Sequence, residues 1–481
     1  MNSVAIIGAG ITGLTAGFRL AQNHIPVILY EASDRVGGAI QSIRRDGFLA
    51  EFGPNTILDT SPKIREVIVA AGLEKRMLYS DDRAANRYLV RRRKTVAMPA
   101  SPFGFLKTPL FSARAKLRLF REPFIAPWDN HYEESVAQFV LRRLGREFLD
   151  YAIDALVGGI YAGDPDRLSV MHGFPKLYAL EQKYGSLIKG QILGARERKR
   201  RAEVSKQDAK KISFDEGLQV LPETLHARLG GALRLNSNVS GLARTTSGWS
   251  VQVRTGGREE RLDHSMVLLA VPAYCLANIS LEAGNGPGFQ PLARIQYPPV
   301  ASVVLGFRRT EVSHLLDGFG MLIPKIEGFN ILGTLFSSSL FPNRAPAGHV
   351  TLTSYVGGMR NPELALRPVA DLYELAIQDL RVLLGISGEP TFRHAVLYKQ
   401  AIPQYEVGYG QYKQAMDDLE TRAPGMFLAG HYRSGISLSD CLCAGYDAAE
   451  RITTLFRSGQ HGGMYPAALT ASSQLTNAAC R

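Results

Sequence analysis

Residues Val4 to Ile7 form a short strand-like run that ends at Gly8-Ala-Gly10-Ile-Thr-Gly13, and a helical pattern with Leu14, Ala16, Phe18 and Leu20 follows. A strand, a glycine turn and a helix in that order leave few folds open. The first glycine permits the tight turn, the second lets the backbone approach a pyrophosphate, and the third lets helix and strand pack closely. A diphosphate is favoured at that helix N-terminus by free N–H groups and the helix dipole. The next strand, Pro26 to Tyr30, ends at Glu31, eighteen residues past Gly13. An acid placed there can accept hydrogen bonds from both hydroxyls of an adenosine ribose. The amino-terminal unit therefore reads as dinucleotide-binding and Rossmann-like.

At 481 residues the chain exceeds what one core usually organises, which argues for two or three domains. Hydrophobic residues at 45% and charged residues at 21% exclude a mainly disordered chain. No run of 18 apolar residues occurs, and Gly8, Gly10 and Gly13 interrupt the apolar start, so neither a membrane span nor a signal peptide is indicated. The expected compartment is the cytosol. Cys275, Cys441, Cys443 and Cys480 are too few for a disulfide scaffold and lack zinc spacing, so reduced thiols and no metal are expected. The net charge of +12 fits nucleic acid, an anionic membrane surface or an acidic small substrate, and its placement must decide.

After Glu31 comes Ala32-Ser-Asp-Arg35-Val-Gly37-Gly38, a second glycine pair with an arginine able to approach the same diphosphate. A nicotinamide domain does not require this segment. The combination resembles the signature of FAD-dependent oxidases of the amine-oxidase and phytoene-desaturase superfamily. Near the other end, Gly425 to Gly430 reads as a strand closed by a glycine, and Tyr432 to Asp440 leads into a helix over Cys441 to Leu455. Asp440 reads equally as a helix N-cap or as a flavin neighbour.

The resemblance implies noncovalent FAD, held by Gly8, Ala9, Gly10, Ile11, Thr12, Gly13, Glu31, Ala32, Arg35, Gly37, Gly38 and Ala39. It extends to Gly53, Pro54, Asn55 and Thr56, to the Val239 backbone at the adenine, and to Gly430, Gly435, Ile436, Ser437 and Leu438. The fold class is then α/β, with a Rossmann-like FAD-binding domain built from discontinuous segments, residues 1–82, 212–272 and 412–458. A helical, basic, membrane-associating insertion occupies 83–211, a mixed-sheet substrate domain occupies 273–411, and a tail at 459–481 lacks periodicity and reads as disordered.

Gly318 to Pro324, Ile331 to Pro342 and Tyr355-Val-Gly-Gly358 are similar to the substrate-domain signature of the protoporphyrinogen oxidase family. Phe174 to Leu177, Tyr184 to Ile188 and Ile402-Pro-Gln-Tyr405 match the same family, so the resemblance covers about residues 3 to 456. It implies an apolar pocket lined by Phe319, Leu322, Leu335 and Tyr355, with Arg87 pairing a ring propionate through a bidentate fork. The read-out for each of the four apolar residues is shared with ordinary sheet core, and for Arg87 with a surface cation.

The charge is uneven. From Arg87 to Arg121 there are ten basic residues and no acid, interleaved with Phe103, Phe105, Leu106, Leu110, Phe111, Leu117, Leu119 and Phe120. Such a segment can enter an interface and seek anionic headgroups, placing the protein peripherally on the cytoplasmic membrane. Arg196 to Lys211 holds eight basic residues against three acids and reads as a solvated loop. No nucleic-acid-binding signature accompanies either cluster.

One departure from the family pattern lies after Ile402-Pro-Gln-Tyr405, where some relatives carry a flavin-facing aromatic and this chain reads Gly408-Tyr-Gly410. No residue stands out as a general base, and His172, His314 and His394 are assigned no catalysis. The resemblance implies three two-electron oxidations with the cofactor carrying the hard step and oxygen returning hydrogen peroxide. Coproporphyrinogen III oxidase, acting on a ring with four propionates, is the near alternative, and the basic stretch Arg91 to Lys94 could serve it. A flavin amine oxidase and a flavin-free carrier are more distant alternatives. A homodimer stays open.

Overall fold

The structure is a computed structural model describing residues 3–128, 132–201, 209–283 and 287–459. Residues 202–208, within the Arg196 to Lys211 stretch read as a solvated loop, and the tail from residue 460 lie outside that description.

Near-continuous apolar runs form a five-stranded parallel sheet in the order Leu233–Arg234, Val27–Tyr30, Val4–Ile7, Met266–Leu269, Met426–Leu428. Strands this apolar belong in a sheet covered on both faces. Helices Ile11–Gln22 and Leu438–Arg457 pack against one another beside it. Its strands come from three distant parts of the chain, in keeping with a discontinuous dinucleotide domain. An antiparallel meander, Ser237–Arg244, Trp249–Thr255 and Arg258–His264, carries Ser280–Glu282 in parallel at its edge. The strand Ser280–Glu282 therefore sides with this unit, although its residues were grouped with the substrate sheet.

The second large sheet has seven strands, ordered Phe392–Tyr398, Val300–Arg308, His349–Gly357, Ile331–Leu335, Gly318–Leu322, Asn86–Arg91, Lys94–Ala97. All its pairings are antiparallel except Gly318–Leu322 with Asn86–Arg91. Here the expectation of a mainly helical segment from residue 83 needs correction, because residues 86–97 form a hairpin that completes this sheet. Tyr88 and Val90 alternate with Arg87 and Leu89, a period of two that the basic composition obscured. One sheet face buries Val90, Val303, Leu305, Met321, Leu352 and Val356 in a core shared with helix Val369–Leu384. The opposite face is left to line a site.

The remaining insertion is helical, including Val136–Arg143, Asp154–Tyr161, Pro175–Tyr184 and Leu187–Arg201. The last of these extends into the stretch read as a loop from Arg196. A buried ion network ties the insertion together: Arg143 pairs with Glu122 at 3.2 Å and with Glu181, while Glu122 also accepts from the Leu187 amide. Buried charges of this kind are tolerated only when every group is bonded, and removing one partner is costly.

Candidate active site

The Gly8 to Gly13 turn sits where the first strand meets its helix. Gly8 has φ +102°, and a Cβ there would lie 2.9 Å from Val271 Cγ1. At Gly13 a Cβ would lie 2.0 Å from the Gly8 carbonyl oxygen, so the close approach of turn and helix demands glycine. Gly10 differs. It has φ −68°, a conformation open to any residue, and a Cβ built there meets nothing within 4 Å. As N-cap of Ile11–Gln22 it offers no side chain to the helix N-terminus. A cradle of backbone N–H groups facing open space is what a diphosphate requires, so the residues present fit the dinucleotide.

Around this cradle the distant segments converge. Glu31 accepts from the Ala9 amide at 2.7 Å and from the Ser33 amide and hydroxyl, which sets its carboxylate beside the turn. The Ser237 amide donates to the Glu31 carbonyl, bringing Val239 within two residues; the strand bulges immediately after Val239. Gly37 donates to the Ala9 carbonyl, laying the second glycine pair against the first, with Ala32, Gly38 and Ala39 exposed on the same segment. Thr12 Oγ1 donates to the Cys441 carbonyl, and the Ser439 hydroxyl donates to the Leu58 carbonyl. Thus Gly435, Ile436, Ser437 and Leu438 lead into the last helix, next to both amino-terminal pieces, and Gly430 caps the short helix His431–Ser434 just before them. Ser437 is that helix's N-cap and forms a capping box with Asp440, so Asp440 is the box partner.

The substrate face follows from strand register. Arg87 is level with Gly320, Gly320 with Leu335, and Leu335 with Thr353; Leu322 is level with Gly333, and Gly333 with Tyr355. Paired positions point the same way. Arg87, Leu322, Leu335 and Tyr355 therefore share the face opposite the core. Phe319 lies at a bulge beside Gly320 and packs toward Ala84, Leu340 and Phe341. Leu322 is covered by helix Asp154–Tyr161, because a Cβ on Gly159 would come within 2.3 Å of its Cδ2. At the inner end of the face, Tyr355 accepts from Asn55 Nδ2 at 2.7 Å and donates to the Gly53 carbonyl at 3.4 Å. Burial raises the Tyr355 phenol well above its ordinary pKa, so it stays protonated. The segment Gly53, Pro54, Asn55, Thr56 is thereby the seam between the dinucleotide cradle and the substrate face.

The family model for flavin-containing amine oxidoreductases matches residues 11–453. The chain belongs to this family. Its protoporphyrinogen oxidase 2 relative of Arabidopsis thaliana is 33% identical, covering 95% of this chain and 94% of the relative. Coproporphyrinogen III oxidase of Bacillus subtilis is 29% identical over 94% of this chain and 98% of its own length. Among solved structures, an Exiguobacterium protein provisionally named protoporphyrinogen oxidase superposes with TM-score 0.77 at 23% identity, covering 94% of this chain and 99% of that one. Cyclohexylamine oxidase of Brevibacterium oxydans does so at 0.67 and 16%, covering 95% and 99%. These two show the fold.

Arg35 spends its guanidinium on the carbonyls of Val36, Gly38 and Ile40, at 3.3, 2.7 and 3.2 Å, so it shapes the glycine loop from its own side. Arg91 pairs with Glu147 at 2.8 Å and lies 3.5 Å over the Tyr151 ring, while the Arg92 and Arg93 amides both donate to Glu327 at a hairpin tip. Of this basic stretch, Arg91 is engaged by an acid through its side chain, while the Arg92 and Arg93 contacts to Glu327 are made by the backbone. Tyr409, at the departure from the family pattern, is buried and donates to the Tyr432 carbonyl, bracing the 431–434 turn from behind. Tyr405 likewise donates to the His431 carbonyl and accepts from the Gly435 amide. His172 faces Glu133, His314 accepts from the Leu316 amide, and His394 stacks on Phe52; burial lowers the pKa of all three.

Sequence reading missed Lys211. It was placed at the end of a solvated loop, yet it begins the strand Lys211–Phe214, and its ammonium lies 5.6 Å over the Phe319 ring. Burial first, and then the Arg87 charge, lower its pKa. The alternation in Lys211-Ile-Ser-Phe214 was the available signal.

Proposed function

We propose that this flavoenzyme oxidises protoporphyrinogen IX to protoporphyrin IX, with FAD bound noncovalently and oxygen as electron acceptor. The observation that carries the reading is one sheet face bearing Arg87, Leu335, Leu322 and Tyr355, which ends at the Asn55 seam of the dinucleotide cradle. From the Tyr355 strand to the Arg87 strand is three strand spacings, on the order of 14 Å. An apolar floor of that width with a cation at its far end suits a large ring whose carboxylates point away from the flavin. Relatives named for porphyrinogen oxidation support the same substrate class.

In this arrangement Arg87 holds a propionate in its planar fork and so selects which ring carbon faces inward. Leu322 and Leu335 exclude water from the ring face. Tyr355, kept protonated, positions Asn55 at the seam. When bound, the flavin supplies the two-electron acceptor for hydride loss, repeated three times and returned to oxygen as hydrogen peroxide. The reading needs no chain base, consistent with the protein-facing partners of the three histidines.

Surface association belongs to the same proposal. Phe103, Leu106, Leu117, Phe120 and Phe124 are exposed on two short helices and the turn that follows, with Lys107, Arg114 and Arg121 exposed among them. This is a basic, apolar patch of the kind that enters an anionic interface. Among the described residues no helix is long and apolar enough to cross a membrane.

Anaerobic half-reactions test the function. Protoporphyrinogen IX should bleach the flavin faster than coproporphyrinogen III; bleaching by the four-carboxylate ring alone would replace this substrate by the alternative, and bleaching by neither would overturn both. Acid precipitation should release all the flavin into solution.

A further inference from the structure

The strand that carries Arg87 runs parallel to Gly318–Leu322, and its partners at this point are two glycines, Gly318 level with Asn86 and Gly320 level with Arg87, with the register shifting between them. Glycines give no cross-strand side-chain contact to lock a register. A Cβ on Gly318 would lie 2.6 Å from the Asn86 carbonyl oxygen, so the close approach excludes one. A slip of one residue on such a strand would turn Arg87 from the site face to the core face. The lock comes from Asp317, the residue before the first glycine. Its carboxylate accepts from Asn86 Nδ2 at 3.0 Å and from the Tyr88 hydroxyl, the side chains on either side of Arg87. Both bonds lie on the face away from Arg87, because successive side chains of a strand point to opposite faces. On that face Tyr88 packs edge to face on His314 and against the core that holds Val90 and Met321. The Tyr88 hydrogen bond, first among the causes, holds the Asp317 carboxyl below its ordinary range, while burial pushes the Tyr88 phenol up to about 12. The pair is therefore a charged acceptor and a neutral donor near neutral pH, the stronger kind of hydrogen bond.

We propose that Asp317 is a positioning residue for Arg87, pinning the strand on both sides of it so that the guanidinium is presented to the substrate face. This assignment rests on the porphyrinogen reading and names what aims the propionate fork within it. A planar fork meets a carboxylate in one plane, so a strand free to twist would keep the charge and lose the geometry. The Met98 amide donates to the Arg87 carbonyl at 2.7 Å, so the hairpin partner fixes one edge of the strand at this residue. Asp317 fixes the other edge, where the glycines cannot. It acts through Asn86 and Tyr88, which stand one residue away from Arg87 on the opposite face.

The test is a double-mutant cycle on the full-length flavoprotein, with protoporphyrin IX and its dimethyl ester titrated by quenching of porphyrin fluorescence. Asp317→Ala should weaken diacid binding about fivefold, within the range that coupled neighbours show, with ester affinity and flavin spectrum unchanged. In an Arg87→Ala background the same substitution should cost nothing further. Tyr88→Phe keeps the ring in the core and removes one of the two donors; it should give a smaller loss in the same direction, and it carries the same cycle where Asp317→Ala does not fold. In turnover, Asp317→Ala should raise KM with little change in kcat. Equal losses in the two backgrounds, losses shared by diacid and ester, or no loss at all would overturn the assignment while leaving the porphyrinogen reading intact. Diacid binding as tight in Arg87→Ala as in wild type would overturn the Arg87 reading and this assignment with it.

Discussion

The Asn55 side-chain amide donates to the Tyr355 hydroxyl at 2.7 Å, joining the segment that follows the dinucleotide cradle to an interior strand of the substrate sheet. Residues 300 positions apart thereby set the distance between cofactor and substrate walls. Tyr355→Phe removes the acceptor and leaves the amide only the Gly53 carbonyl. Holoprotein stability should fall by about 1 kcal/mol, read by thermal unfolding, while turnover drops with flavin content unchanged. A variant with wild-type kinetics would show that the seam does not control alignment.

Gly10 and Gly13 should fail in different ways. Gly10→Val has room for its side chain and no backbone strain, so the protein should fold but be purified colourless, the branched chain occupying the diphosphate position. Gly13→Val drives its Cβ into the Gly8 carbonyl and should lower stability itself. Circular dichroism and the visible spectrum separate the two. Full flavin occupancy in Gly10→Val would refute the placement.

Arg87 should act through geometry as well as charge. Arg87→Lys keeps the charge but loses the planar fork and should already impair turnover. Arg87→Ala should lower kcat/KM by about 1.5–3 kcal/mol, the range for a charged hydrogen-bonded group, with normal flavin content. Unchanged kinetics in the alanine variant would make Arg87 an ordinary surface cation.

The exposed patch predicts salt-sensitive binding to vesicles containing anionic lipid, worth about 1 kcal/mol for each basic residue that reaches the surface. Phe120→Ser with Phe124→Ser should weaken sedimentation with such vesicles without altering flavin reduction by soluble substrate. Equal binding to neutral and anionic vesicles at low salt would count against it.

Glu51 gives the stability a pH dependence. It is fully buried, and burial pushes its carboxyl up to about 7 against the opposing pull of Arg344, the Ser42 hydroxyl and the Leu218 amide. A folded-state pKa above the unfolded value of about 4.3 means that the native protein holds this proton longer. Its contribution is therefore complete below about pH 4, declines as pH rises, and is gone above about pH 7. Between about pH 5 and 7 wild type should lose roughly 1.4 kcal/mol per pH unit relative to Glu51→Gln. Parallel Tm profiles for the two proteins would exclude this titration.

The cradle was legible because its signals are local. Gly8, Gly13 and Glu31 lie on consecutive elements, where backbone sterics and strand ends are dictated by neighbours in sequence. The inward-facing set Arg87, Leu322, Leu335 and Tyr355 was reached through family resemblance, and strand register then placed the four on one face. Long-range pairing decided the rest. The hairpin at 86–97 looked like part of a basic helical insertion until it paired with Gly318–Leu322, and Arg91 looked like a site cation until Glu147 and Tyr151 enclosed it. By itself the sequence determined the dinucleotide turn, since that depends on residue type and short spacing, whereas the discontinuous domain organisation and the apolar pocket came from family resemblance. Only the tertiary structure decided which cations face the site: a basic residue looks the same in sequence whether it is solvated, paired with a distant acid, or held like Lys211 over Phe319.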